Sequence, residues 1–426
     1  MKIIITVILI VLISAPIFLK KEKQFIKIFE SANSYGVKAY QVRVKSDKVV
    51  YVKCKFKNAG VLHNIQEKHG ISAIVGTIIC RKIGELSPEE TEEKLNELGV
   101  GHFNINAFGD DFELSFFVLK DKAADALKSL SPIFSKPIFS KNDLEFVKGR
   151  YPAILDPEIS PPKELLFDKM MNMLYPHNGY GLNNTGTAQA INSITKDDID
   201  DFIHNNFSKD NLEVFFAGDV SQSEIELYIE TLFDGLREKG EEKSQNLDIS
   251  ASHPSEDNFS VIYKKNMGNA IGIATGIRLD NLSNKEKATA YIILKNSFDG
   301  KIGDFQAGLR SQNIAYSVDS GYLQRQLSNV FYFFIFIDKK DLEKYKKYAE
   351  EKISTYQYKL NLKDLSFFQD SIAISLRNGF TSIAHIDKQI EYNLLPFSEI
   401  TQNDILEVAR KIFDKSSIRT VYIMAD

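Results

Sequence analysis

Phe117-Val118-Leu119-Lys120-Asp121 and Phe336-Ile337-Asp338-Lys339-Lys340 decide the fold of this chain, because the second is the first met again in the other half. Each closes an apolar strand, passes through a charged turn and opens a helix. Before the first, Asp111–Leu119 alternates apolar and polar residues, the period of a half-buried strand. After it, Ala124, Leu127 and Leu130 share one helical face. Around the second, Asn329–Ile337 reads as the strand and the helix runs to about Tyr356. Working outward, Val49–Phe56 is β-rich and leads to a helical stretch from about Gly70 to Arg81. Ala270–Ile277 plays that part in the second half, ahead of a helix from about Asn284 to Asn296. A strand closes each half, Leu212–Asp219 in the first and Arg419–Met424 in the second. A repeat of this size sets the architecture before any detail does.

Between the copies, Glu238–Asn246 is polar and lacks apolar periodicity, and the character continues to Asp257, which marks a linker. The expected fold is therefore α+β, two homologous sheet-plus-helices repeats behind an N-terminal export segment. Its parts are residues 1–23 (signal peptide or anchor), 24–236 (first domain), 237–257 (linker) and 258–426 (second domain), each domain a sheet with helices on one side. A length of 426 residues suits two or three domains of ~150 residues. With 43% hydrophobic and 26% charged residues the chain is a folded one. A net charge of -4, with Lys and Arg interspersed among Asp and Glu, argues against nucleic acid as a partner.

The start differs in kind. Lys2 precedes an apolar run from Ile3 to Leu19, and charge returns at Lys20-Lys21-Glu22-Lys23. That pattern predicts export to the periplasm or cell envelope, with a membrane tie only if the segment stays uncleaved. Cys54 and Cys80 are two thiols whose pairing the sequence does not decide.

Several local strings, in order, resemble the pitrilysin/insulinase family, whose members are built from paired α+β repeats. Phe56-Lys57-Asn58-Ala59-Gly60 is similar to the strand and turn before that family's active-site helix, and His69-Gly70-Ile71-Ser72 to the start of the helix. Tyr175–Gly181 with Gly186-Thr187 resembles the segment after the second long helix pair. Ser193–Ile199 and Ala217-Gly218-Asp219-Val220 match the next helix start and the strand that ends the domain. The family's chemistry rests on H-x-x-E-H, where two His four apart bind zinc and the Glu activates the metal-bound water. Carried onto this sequence, the three positions are Ala73, Gly76 and Thr77, none of which is a ligand or a base. The family's third ligand, a Glu, falls near Tyr151 to Leu155, where no carboxylate stands; Asp156 and Glu158 lie close by. No metal or other cofactor is expected on this chain.

The remaining histidines offer no replacement. His63 and His69 with Glu67 are the nearest approach to a cluster, but a spacing of six does not bring two imidazoles to one helical face, and solvated loop histidines are expected. What the resemblance does preserve is Leu309–Val318, similar to the family's second-domain segment carrying an Arg and a Tyr six apart. It implies that Arg310 and Tyr316 bind substrate carbonyls and stabilise the charge developing on a scissile carbonyl. Asn313 stands where Gly is usual; Asn tolerates a positive φ. The resemblance thus implies the zinc-free half of a heterodimeric peptidase, inactive alone, with zinc held by a homologous partner subunit and a peptide or protein as substrate. The alternative is an inactive pseudopeptidase serving as a scaffold or peptide-binding module. A weaker third option is a peptidase with a displaced metal site.

Overall fold

The computed structural model describes residues 36–43, 48–64, 66–135, 137–151, 156–176, 179–183, 185–240, 253–298, 303–315, 318–360, 365–367, 369–370 and 395–426. The export segment, Tyr316, His177, His385, part of the polar linker and most of the stretch from Tyr151 to Leu155 lie outside the described residues.

The first half contains β1 (Lys38–Arg43), β2 (Val49–Phe56), α1 (Ile71–Ile79), α2 (Pro88–Glu97), β3 (Val100–Asn106), β4 (Phe112–Leu119), α3 (Ala123–Leu130), α4 (Pro132–Ser135), α5 (Lys141–Lys148), α6 (Pro162–Leu174), α7 (Ala188–Ser193), α8 (Lys196–Asn206), β5 (Leu212–Gly218) and α9 (Gln222–Leu232). The second contains β6 (Phe259–Tyr263), β7 (Ala270–Asp280), α10 (Asn284–Phe298), α11 (Asp304–Ser311), β8 (Val318–Gln324), β9 (Ser328–Asp338), α12 (Leu342–Lys359), α13 (Gln402–Ile412) and β10 (Ile418–Met424). Among the described residues these strands make two sheets, ordered β1-β5-β2-β4-β3 and β6-β10-β7-β9-β8. The second order is the first with every strand advanced by five places. In each sheet the first-named pair is parallel and the remaining pairs are antiparallel.

The repeat extends to single hydrogen bonds. At the charged turn after β4, the Lys120 N–H donates to the Lys48 carbonyl at 2.8 Å; after β9, the Lys339 N–H donates to the Asn269 carbonyl at 2.8 Å. Both carbonyls precede the central strand of their sheet, so each turn is pinned at the same point. The helix before each closing strand opens with a capping box, Thr195 with Asp198 and Thr401 with Asp404, which ties up two otherwise orphaned amides. The strands missed in the sequence are β1, β3, β6 and β8, all outermost in their sheets.

The two sheets differ in what covers them. In the first, Val50, Val52, Cys54 and Phe56 of β2 and Phe112, Leu114, Phe116 and Val118 of β4 face one core beneath the helices of that half. The opposite face carries ion pairs, Lys53 with Glu113 at 3.0 Å and Lys55 with Glu213 at 3.8 Å. The second sheet is apolar on both faces. Phe331, Phe333, Ile335 and Ile337 of β9 belong to a core with α10, α12 and α13. Val330 and Phe334 belong to another, with Ala274, Val421 and Ile423, and its cover is α6 from the first half. The expectation of helices on one side is therefore corrected for the second sheet: continuous apolar strands bury both faces.

Helix α6 fits because β7 presents backbone to it. A Cβ on Gly276 would stand 2.7 Å from Met170 Cγ and Sδ and 2.8 Å from Leu174 Cδ1, while one on Gly272 would meet Leu166 Cδ1 at 3.0 Å. Leu166, Met170 and Leu174 recur every four residues, one stripe of the helix laid along that groove. Three of the chain's six methionines, Met170, Met171 and Met173, are buried in this contact, where an unbranched side chain conforms to an irregular surface.

Gly276→Val is expected to destabilise the full chain by roughly 1–3 kcal/mol through overpacking. Gly109→Ala, whose new methyl meets nothing within 4 Å, is the control and should stay within about 0.5 kcal/mol. Urea denaturation followed by circular dichroism checks both; equal midpoints for the two variants would contradict the docking described.

Candidate functional site

Helix α1 is where the sequence placed the degenerate metal motif, and the structure shows what those positions do instead. All of Ile71–Ile79 is buried except the half-buried Thr77. Ala73 is 6% exposed. Gly76 lies against the outermost strand β3, and a Cβ there would stand 2.9 Å from Ile105 Cγ2. The Thr77 hydroxyl donates to the Ala73 carbonyl at 2.8 Å and is hydrogen-bonded to the Tyr151 hydroxyl. Tyr151 is buried, and burial pushes its phenol up to about 12. Tyr151, the first residue of the expected third-ligand stretch, thus meets Thr77 on α1. A methyl, a hydrogen, a hydroxyl and a phenol fill the space, and this set does not fit a zinc ion. Among the described residues no group of three or more His, Cys, Asp or Glu could hold a metal.

The histidine expectation is corrected. His69 is 1% exposed, and its Nε2 lies 2.9 Å from the Asn183 carbonyl; burial lowers its pKa. His63 points to a different partner, with Nε2 3.4 Å from Asp110 Oδ1. Both are built into packed structure, and they do not converge. Glu67 is exposed. Cys54 and Cys80 are free thiols, raised by burial, Cys80 to about 11.

One polar grouping lies where the halves meet, and a second lies on α6. In the first, Asp110, from the turn between β3 and β4, accepts from the Tyr180 hydroxyl at 2.6 Å and from the Gln326 amide at 3.1 Å. The Tyr180 oxygen in turn accepts from the Leu327 amide at 3.2 Å, and the Arg325 guanidinium stacks over the Tyr180 ring at 5.1 Å. Burial pushes the Asp110 carboxyl up, but the hydrogen bonds from His63, Tyr180 and Gln326 and the Arg325 charge outweigh it and hold it below its ordinary range. The hairpin between β8 and β9 is thereby fastened to the first half. In the second grouping, Asp168 on α6 accepts from Asn183 Nδ2 at 2.8 Å. Burial, then the neighbouring Glu164 charge, push its carboxyl up to about 6. Sequence reading missed both: Asp110, Tyr180 and Gln326 are far apart in the chain, and Asp168 meets Asn183 only because residues 179–181 pack back on α6.

Of the Arg/Tyr pair, Arg310 is described. It is exposed on the last turn of α11. The helix ends in a Schellman turn: the Ile314 N–H donates to the Leu309 carbonyl at 2.9 Å and Asn313 adopts φ 55°. The expected tolerance of Asn at that position is thus realised. Its counterpart in the first half is Gly99, at φ 66° after α2. Both turns deliver the chain into an outermost strand, β3 in one sheet and β8 in the other.

Residues 193–366 match the family described as Peptidase M16 inactive domain. A protein of Rickettsia felis described as an uncharacterized zinc protease is 24% identical over 384 residues, spanning 86% of this chain and 90% of its own length. Among solved structures, the peptidase M16 inactive domain from Pseudomonas fluorescens superposes with TM-score 0.80 at 17% identity, covering 94% of this chain and 98% of that one. A protease from Helicobacter pylori gives TM-score 0.79 at 16% identity, covering 93% and 99%. The likeness to these structures is one of fold.

The raised Asp168 carboxyl has a consequence of definite sign. The folded chain holds that proton to about pH 6, while the unfolded chain releases it near ~3.9. Stability therefore falls as pH rises from roughly 4 to 6, at up to ~1.4 kcal/mol per unit of separation. Asp168→Asn, which keeps an acceptor for Asn183, is expected to flatten that slope and to be more stable than the parent at pH 7. Unfolding free energies measured from pH 4 to 8 test this; an unchanged slope would contradict it.

Proposed function

From this chain's kinship with the pitrilysin/insulinase (M16) family, in a form whose zinc helix is chemically blank, we propose that it is the non-zinc subunit of a heterodimeric, exported metallopeptidase. The observation that carries the reading is an asymmetry between the halves. The first half has turned its motif positions into packing, with Gly76 against Ile105 and Thr77 against Tyr151. The second keeps Arg310 exposed beside a left-handed Asn313, the geometry that a Gly would otherwise supply. A chain freed from all chemistry has no need of an exposed guanidinium at that turn.

In this reading a zinc-bearing homologous subunit supplies the metal and the general base. Arg310 and Tyr316 supply donors to substrate carbonyls and to the oxyanion, where a fixed cation and a phenol O–H act most strongly in a site closed to water. Peptide joins as an added strand at an outermost strand of a sheet. The Lys2 to Leu19 pattern supports export of the pair. A zinc-free scaffold or peptide-binding module is the competing outcome.

Purification of the tagged chain from its host, followed by mass spectrometry, is expected to recover a near-stoichiometric partner of similar size carrying H-x-x-E-H. In the reconstituted complex, Arg310→Ala should lower kcat/KM about 100-fold while leaving association intact. A complex that cleaves equally well with Arg310→Ala would remove the assigned role. Recovery of the chain with no such partner would leave the scaffold.

A further inference from the structure

One edge of the second sheet is an uncharged strand. β6, Phe259-Ser260-Val261-Ile262-Tyr263, pairs in parallel with β10 along one side, and among the described residues no strand pairs along the other. Its counterpart at the edge of the first sheet, β1, carries Lys38 and Arg43, the kind of charge that guards an open edge. β6 carries none, and Phe259 and Tyr263 are each 62% exposed.

The direction of its main-chain groups follows from the ladder. The Thr420 N–H donates to the Asn258 carbonyl at 3.0 Å, and the Lys264 N–H donates to the Met424 carbonyl at 3.0 Å. Residues 258 and 264 therefore face β10. Alternate residues of a strand bond to alternate sides, so 260 and 262 face it too, and the N–H and C=O groups of Phe259, Val261 and Tyr263 point to the open side. The same alternation sets these three side chains on one face, where Tyr422 of β10 meets the Phe259 ring edge-on at 6.4 Å. One residue beyond either end of the ladder stand Asp257 and Lys265, both exposed. Outward from Val261 the order is a ring and then a charge in both directions, and only the sign of the charge differs.

We propose that β6 is a docking edge for a second copy of this chain, the two β6 strands running antiparallel about a two-fold axis at Val261. In an antiparallel pair, residues opposite each other either both turn their main-chain groups to the partner or both turn them away. Val261 opposite Val261 meets that rule, with Phe259 of each copy opposite Tyr263 of the other. The same register brings Asp257 of each copy beside Lys265 of the other, so one axis yields two ring pairs and two ion pairs. An axis at Phe259 or Tyr263 keeps the hydrogen-bond rule but sets Asp257 or Lys265 opposite Val261, and charge therefore selects the register. The two second-half sheets become one of ten strands. β8, the strand that follows Arg310, lies at the opposite edge, and the proposal does not depend on the peptidase reading.

Sedimentation velocity of the full chain over a range of concentrations tests it. A reversible monomer–dimer equilibrium is expected for the parent. Asp257→Lys sets like charges together at both ends and should weaken the dimer about tenfold or more. Adding Lys265→Asp to that variant exchanges the signs and should restore the parent's dimer, a recovery that nonspecific contact of the rings would not give. Val261→Pro removes an N–H that the monomer holds outside its ladder, so it should abolish the dimer with little change in melting temperature. If the proline variant fails to fold, the charge exchange decides. A parent that stays monomeric, a dimer unmoved by Asp257→Lys, a double variant no better than the single one, or full association of a folded Val261→Pro would overturn the proposal.

Discussion

The docking of α6 on the second sheet is the contact on which the rest of the molecule depends. A sheet apolar on both faces needs two covers, and the second half supplies helices for one of them. The other is covered by a helix that the first half contributes, and the match requires backbone at Gly272 and Gly276 where any side chain would collide. Once α6 is seated, Tyr175 and Tyr180 follow it into the junction. Tyr175 takes up Ser328, and Tyr180 takes up Asp110 and the Leu327 amide. The polar clasp is a consequence of the apolar one, since buried hydrogen-bonding groups gain their full effect only where packing has removed water.

How far the fold was legible followed from how its strands are buried. The central pair β2 and β4 carries Lys53, Lys55, Glu113 and Ser115 on one face, and that alternation reads directly as a half-buried strand. The bounds of β4 and β9 came out within a residue for the same reason: apolar content concentrates in strands that have neighbours on both sides. The outermost strands escaped because one edge and part of a face are solvated, so β3, Val-Gly-His-Phe-Asn-Ile-Asn, mixes Asn and Gly with apolar residues. The destination of α6 has a visible signal in the sequence. The unbroken apolar runs at Ala270–Ile277 and Asn329–Ile337 announce two buried faces, where the first half's alternation announces one.

The candidate site was legible by loss more than by presence. That Ala73, Gly76 and Thr77 bring neither imidazole nor carboxylate is a matter of residue identity, read from the sequence alone. That Tyr151 reaches Thr77 is a matter of three-dimensional return and leaves no local pattern. The outcome is physically coherent: methyl, hydroxyl and phenol groups pack together at these positions and leave no open coordination site. His63 and His69 illustrate the opposite error. Their spacing offers no converging ligand set, which leaves solvated loops as the expectation, yet Asn183 and Asp110 arrive from distant parts of the chain to receive them.

Because α6 belongs to the first half by sequence and to the second sheet by contact, the peptide link between the halves is not what keeps them together. A protease that nicked the polar stretch around residues 237–257 would leave two chains still joined by the seat of Leu166, Met170 and Leu174. The same arrangement limits how such a protein can be divided by recombination. A break at the linker, which looks like a domain boundary in the sequence, strands an apolar sheet on one side and an apolar helix on the other. The pair, and neither half by itself, is therefore the unit in which both faces of the second sheet are covered.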